Sequence, residues 1–454
     1  MVVLQIVLSF ALCMPSCNKK NTEIIPPENK KPRDEVDVTS FKASSASDHE
    51  MIQKAIDYAA QNSIPTVYIP AGEYEIEATN GTTHKGILLR DNIHLKLDAK
   101  AVLKAIPNSA THYSVLMVNG NSKVKITGGK IVGERNEHTG TGGEWGMGIN
   151  IIDSKSVEIK DLTITDCWGD AIYVGGAKPS TDIVVDNVTC NNNRRQGISV
   201  VNCNRMTIKK SIFSRTHGTN PQAGIDLEPD NANQAVTNVT IDSCSFIDNS
   251  RHGFFISADY GFVSDIILTN SVFGGNGRSG VHLRGGKPMT TTRKNLKNVS
   301  ISTAEIANNQ TGITVIDAEE IKIENASVIK STENAVRIEN SSTGSFKKIT
   351  IKDFGKEAFI CKSSNGFEIS DNTFLNTGMI TNGLLAYVSF LENATKNRLE
   401  NNKISANPSA NNPLYGIYLS EQSSQNTIAG NTVAAGSYSS VAIKNEGKNN
   451  QVTP

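Results

Sequence analysis

Asp226 and Glu228 stand two residues apart in the segment Ala223-Gly224-Ile225-Asp226-Leu227-Glu228, and Pro229-Asp230 follows. On an extended strand, residues i and i+2 share a face at about 6.5–7 Å. Two carboxyl groups so placed can act as acid and as base or nucleophile on a glycosidic bond. With Asp170 and Asp230 they could also offer hard oxygen ligands to Ca²⁺. Basic side chains recur nearby: Arg195, Arg251, Arg278 and Arg284, with His252 and His282. A guanidinium matches a carboxylate or sulfate bidentately, so an Arg row suits an anionic polymer. A β-elimination at a uronate would use the same parts differently. A cation, Arg or Ca²⁺, would neutralise the uronate carboxylate, and Arg195 or His252 would take the C5 proton. Tyr173 and Trp168 could contact sugar rings beside the acids. Solvated surface is a sufficient account of any one of these residues; the combination marks a site.

The elements that must gather them are legible from a repeat. Five Asn–Gly pairs keep a four-residue offset: Asn193/Gly197, Asn220/Gly224, Asn249/Gly253, Asn276/Gly280 and Asn308/Gly312. The distance between pairs drifts while the offset holds, which is the mark of a solenoid with variable loops. Stacked Asn amides can bond to the coils above and below, and Gly suits a crowded or left-handed backbone position. Strands of the type Gly197-Ile198-Ser199-Val200 and Gly224-Ile225-Asp226-Leu227 alternate with strands of the type Met206-Thr207-Ile208 and Val239-Thr240-Ile241. In the first type the second and fourth residues should point inward and the third outward. The outward column then reads Asn150, Tyr173, Ser199, Asp226, Phe255, His282, Thr314 and Arg337. No amphipathic pattern of useful length follows residue 61, so helices between strands are excluded and a parallel β-helix is expected. Before the first coil, Ser47 offers an N-cap, and Met51, Ile52, Ala55, Ile56, Ala59 and Ala60 form a helical apolar stripe able to cover the open end.

The chain has 454 residues with 45 Lys plus Arg and 45 Asp plus Glu, so bulk charge gives no reason to expect a nucleic-acid partner. Hydrophobic content of 38% suits a narrow core under a large polar surface. Val2 to Leu12 is a short apolar run followed by Met14-Pro15-Ser16-Cys17. It is shorter than the roughly 20 residues of a membrane span and reads as a secretory signal over 1–17. It resembles a bacterial lipoprotein signal, which implies a lipid on Cys17 and a place in the cell envelope, with 18–36 as a tether. Cys167, Cys190, Cys203, Cys244 and Cys361 are odd in number and lack a CxxC, so they indicate neither zinc nor a full disulfide framework. Cys167 occupies the Asn column as a buried filler.

Residues 36–80 resemble the N-terminal cap of pectate-lyase-like and polygalacturonase-like right-handed β-helices, through Ile52-Gln53-Lys54-Ala55-Ile56-Asp57 and Val67-Tyr68-Ile69-Pro70-Ala71-Gly72. The resemblance implies an all-β, right-handed parallel β-helix over 37–454, a fold shared by lyases, hydrolases, epimerases and phage tailspikes. The polygalacturonase pattern is broken: its places hold Gly169-Asp170-Ala171, Arg195-Gln196-Gly197 and Asp226-Leu227-Glu228, without its His, second Asp or basic pair. The alginate C5-epimerase frame keeps only Gly224 and Asp226. The resulting expectation is a secreted, lipid-anchored, monomeric enzyme on an acidic polysaccharide. Asp226, Glu228, His252 and Arg195 would be catalytic, and Tyr173, Trp168, Asp170, Arg251, Arg278, His282 and Arg284 would bind substrate. A uronate lyase comes first, a hydrolase or C5-epimerase second, and a glycan-binding surface protein without turnover is the reading from another class.

Overall fold

The computed structural model describes residues 34–79, 86–286, 294–377, 379, 383–407 and 412–453. The expected signal, Cys17 and most of the tether lie outside the described residues.

The expected helix forms over Asp48–Gln61 (α1), with the Ser47 hydroxyl accepting from the Glu50 amide at 3.2 Å. Met51, Ile52, Ala55, Ile56 and Ala59 are buried, and α1 packs on the first strands, Thr66–Ile69 and Gly72–Ile76. Ala60 is only partly buried. Beyond α1 the chain winds into a parallel solenoid. Three sheets of 16, 14 and 14 strands run along it, and each strand pairs with its counterparts one coil earlier and later. No helix among the described residues is long and apolar enough to cross a membrane.

Two sequence devices set the coil. First, the recurring Gly marks close approach. A Cβ at Gly197 would lie 2.4 Å from the Gly224 carbonyl oxygen, at Gly224 2.6 Å from that of Gly253, and at Gly253 2.7 Å from that of Gly280. Crowding, and not a positive φ, is what demands glycine there. Second, each corner holds one left-handed residue followed by a buried polar one: Asp166 then Cys167, Asn192 then Asn193, Asp248 then Asn249, Asn308 then Asn309. The buried residues make the ladder. The Asn249 amide donates to Asn276 Oδ1 at 3.0 Å, and the Asn276 amide donates to Asn309 Oδ1 at 3.0 Å.

This corrects two members of the expected Asn column. Asn308 fills the left-handed corner at φ 57°, so Asn309 carries the ladder. Thr216, and not Asn220, takes the place one coil before Asn249, its amide and hydroxyl both donating to Asn249 Oδ1. Cys167 sits in the column as expected, its amide donating to Asn193 Oδ1 at 3.0 Å. Further ladders run through Asn372, Asn402 and Asn431 and through Asn397, Asn426 and Asn450. Inside, Phe213, Phe246 and Phe273 stack in register, with ring centroids 5.4 and 4.7 Å apart. All five cysteines of the body are buried and unpaired.

Candidate functional site

Six successive rungs of one sheet form the wall that carries the singled-out residues. They are β1 (Trp145–Ile152), β2 (Ile172–Gly175), β3 (Gln196–Val200), β4 (Ala223–Leu227), β5 (His252–Ser257) and β6 (Ser279–Arg284). Their register aligns Asn150, Tyr173, Ser199, Asp226, Phe255 and His282 in one column. Gln196, Ala223, His252 and Ser279 align in a second. Ile225 and Leu227 are fully buried core residues, so strand alternation turns Asp226 to the outer side.

Asp226 lies on the outer side as expected but is closed off from solvent, at 0% exposure. Glu228, Gln196 and Arg195 surround it, and neither of its oxygens has a hydrogen-bond partner within normal geometry. Burial, reinforced by the adjoining Glu228 carboxylate, pushes the Asp226 carboxyl well above the usual carboxylate range, against the pull of Arg195. Asp170 is also fully buried. Burial lifts it to about 6 even though Arg195 Nη1 lies 3.1 Å from its Oδ2. Asp230 is raised by burial and by Glu228, and Tyr173 is pushed up to about 12 by burial and by Asp230. Several carboxyl groups thus crowd one guanidinium.

Arg195 is held between Asp170 and Glu144, whose Oε2 lies 3.5 Å from its Nε. Burial works against its charge, but Asp170, Asp226, Glu228 and Glu144 outweigh that and push its pKa up. A guanidinium whose proton is held so firmly is poorly suited to be the base of an elimination. The carboxylates expected as Ca²⁺ ligands do not fit a cage either. Asp170 is bound to Arg195, and among the described residues no three His, Cys, Asp or Glu side chains gather in a way that could hold an ion.

His252 joins a different group. It pairs with Ala223, at the opposite end of β4 from Asp226 and Glu228, and packs on Phe255 at 4.9 Å and His282 at 4.8 Å between ring centroids. Burial first, then His282 and the two arginines Arg251 and Arg278, lower the His252 imidazole to about 2. Burial and Arg284 lower His282 to about 4. Both rings are therefore neutral near pH 7. The sign for stability follows. The unfolded imidazole of His252 takes a proton near pH 6.5 and the folded one does not until far lower, so folding loses stability as pH falls below about 6.5. In His252→Phe this loss should be smaller by about 3 kcal/mol at pH 4 than in the parent, read from unfolding curves between pH 7 and 4.

Trp168 is not free to stack on a sugar. His138 stacks on it at 3.9 Å, and the Arg194 guanidinium lies 3.8 Å from its ring centroid. Two flat groups that close must take opposite faces. Arg251 Nη1 donates to Asn220 Oδ1 at 2.7 Å, which ties the 216–222 loop to the edge of the wall. Arg284 is exposed and paired with Asp259 at 3.0 Å, and Arg278 is exposed.

The sequence reading missed Glu144, Gln196 and a buried network behind Trp168. In that network Tyr113 donates to Glu134, and His138 Nδ1 lies 2.8 Å from Glu134 Oε1. Apart from Glu134 and His138, four residues apart, nothing local links positions 113, 134, 138, 168 and 194, so only the coil register could have found the whole network. Trp145, 39% exposed and stacked on His112 at 4.2 Å, is a more accessible aromatic than Trp168.

Comparison with known proteins agrees with this architecture. The Bacillus subtilis (strain 168) protein YclG is 33% identical over 202 residues, 39% of this chain and 35% of that protein. The chain spans roughly a third to two fifths of the curated relatives it matches. The tailspike protein of E. coli bacteriophage HK620, solved with a pentasaccharide, matches at TM-score 0.60 and 15% identity, over 92% of this chain and 80% of that one. The A-module of the Azotobacter vinelandii mannuronan C-5 epimerase AlgE6 matches at TM-score 0.52 and 16% identity, over 92% of this chain and 99% of that one. At such identities the likeness is one of fold. The family described as right handed beta helix region matches residues 76–237, 114–296 and 311–453, and the chain belongs to that family.

Proposed function

We propose that the protein is a cell-envelope enzyme acting on an acidic polysaccharide, with Asp226 as general acid and Glu228 as its partner carboxylate. The observation that carries this reading is the Asp226–Glu228 pair. One carboxyl is fully buried, set against the other and Gln196, and disposed to keep its proton; the other, at the same face, is only partly buried. A pair of carboxyls with unlike environments is the arrangement glycoside hydrolysis uses. Once a bound glycan displaces the Glu228, Gln196 and Arg195 side chains that cover it, Asp226 would give its proton to the leaving glycosidic oxygen, and Glu228 would act on the anomeric carbon directly or through water. Structural likeness to a tailspike solved with a pentasaccharide and to an epimerase module of mannuronan supports a glycan as substrate.

Elimination is the second reading. It is favoured by the cationic side chains Arg251 and Arg278 on the same wall and weakened by the ion pairs of Arg195. Location at the envelope rests on the apolar run before Cys17. Incubation with a panel of uronate-containing polymers separates the readings. New reducing ends without new ultraviolet absorbance support hydrolysis, and absorbance of an unsaturated uronate supports elimination. Binding of the same polymers with neither product, and with no inversion at C5 by proton NMR, would leave a glycan-binding protein and end the enzymatic reading.

A further inference from the structure

The ring cluster on β5 and β6 has a composition the carboxyl pair does not explain. Phe255 and His282 are half-buried, lie 5.3 Å apart between centroids, and close with His252 into a triangle of rings. His252 is 3% exposed, and its Nδ1 is buried without a partner; His282 Nδ1 is likewise unpartnered. Buried polar nitrogens are rarely left unpaired unless something supplies the bond. Two guanidinium groups border the cluster. Arg251 is fixed by Asn220, and Arg278, beside it, is exposed and forms no ion pair among the described residues. Arg284 is already engaged by Asp259.

We propose that His252, Phe255 and His282, with Arg251 and Arg278, form a second sugar subsite that holds an acidic sugar neighbouring the one that reacts. The proposal rests on the functional reading above and adds to it the direction and charge pattern of the substrate. Phe255 and His282 stand one and two rungs from Asp226 in the same column, roughly 5 and 10 Å along the solenoid axis. A glycan lying along that axis therefore places one ring over Asp226 and the next over the ring cluster. The aromatic face suits the apolar face of a sugar ring, and neutral imidazoles can exchange hydrogen bonds with hydroxyls. The two ends differ in charge. Near Asp226 the acids Asp170, Glu228 and Asp230 outnumber Arg195 and repel an anionic group, whereas Arg251 and Arg278 attract one on the next two rungs. The anionic substituent of the polymer is thus read at the arginine end, and the shortest good substrate spans both ends.

The test uses the whole chain with Asp226→Asn to stop turnover, and calorimetric binding of hyaluronan oligosaccharides from tetramer to octamer, in which acidic and neutral sugars alternate, and of their carboxyl-reduced, neutral counterparts. Arg278→Gln in that background should weaken the charged oligomers about tenfold and leave the neutral ones unchanged, because one charge-assisted contact is lost. Phe255→Leu should weaken both series. Affinity should rise with length until both ends are filled and then level off. If the wild-type protein cleaves acidic polymers while Arg278→Gln binds charged oligomers as tightly as its parent, the subsite is overturned and the functional reading stands. If the parent binds no acidic oligomer, both are overturned.

Discussion

Asp226→Asn should lower turnover of a polysaccharide substrate by about 10²–10⁴-fold, the usual contribution of a positioned acid, while the protein stays folded. Asn copies the shape of a carboxyl but has no proton of the right acidity to give. Its effect on stability has a definite sign. The folded carboxyl titrates above its unfolded value, so the parent is best stabilised below the unfolded pKa near 3.8 and loses that contribution as pH rises towards the folded pKa. The variant has no such loss. Its stability relative to the parent should therefore grow between pH 4 and 7, and at pH 7 it should unfold at a denaturant concentration no lower than the parent's. A variant that lost activity and also unfolded earlier at pH 7 would show a structural role for the carboxylate and not a catalytic one.

Asn276→Ala should cost about 3–5 kcal/mol, because several buried polar groups lose a partner at once and each costs about 1–3 kcal/mol. Asn276 Oδ1 accepts from the Asn249 backbone and side-chain amides, and its Nδ2 donates to the Phe246 carbonyl at 3.1 Å and to Asn309 Oδ1 at 3.0 Å. Alanine removes all of these and leaves the Phe246 carbonyl and Asn309 Oδ1 without the Asn276 amide. Since each coil touches only its neighbours, the damage should be local. Amide hydrogen exchange should lose protection around coils 245–312 and keep it around Asn397 and Asn426. Uniform protection across the solenoid would mean that the ladder is decorative.

The solenoid was legible because alternation and a fixed Asn–Gly offset survive loops of any length. Ile225, Asp226 and Leu227 divide between core and outer face as period two demands. What alternation does not convey is cover. Asp226 points outward and is still buried, because Glu228 comes from just beyond its own strand and Arg195 and Gln196 from the coil before. Asn308 and Asn309 differ by one residue, and only the left-handed turn at Asn308 decides which is the ladder. Trp168 seemed available for a sugar because its partners, His138 and Arg194, lie 30 residues before and 26 after it. His252 shares an outer wall with Asp226 but joins rings from its own and the next coil. Sequence periodicity gives the wall; side chains reaching between coils divide it into an acidic end and a ring-lined end.

The claim on which the mechanism stands is that Asp226 keeps its proton where an ordinary aspartate does not. Infrared difference spectra between wild-type protein and Asp226→Asn, recorded across pH, report that proton directly through the carbonyl stretch of a protonated carboxyl. The account predicts a band, lost in the variant, that persists as pH rises well past the ordinary aspartate value of about 3.9. A band that vanishes near pH 4 would mean an ionised Asp226 at working pH, and the acid assigned here would not exist.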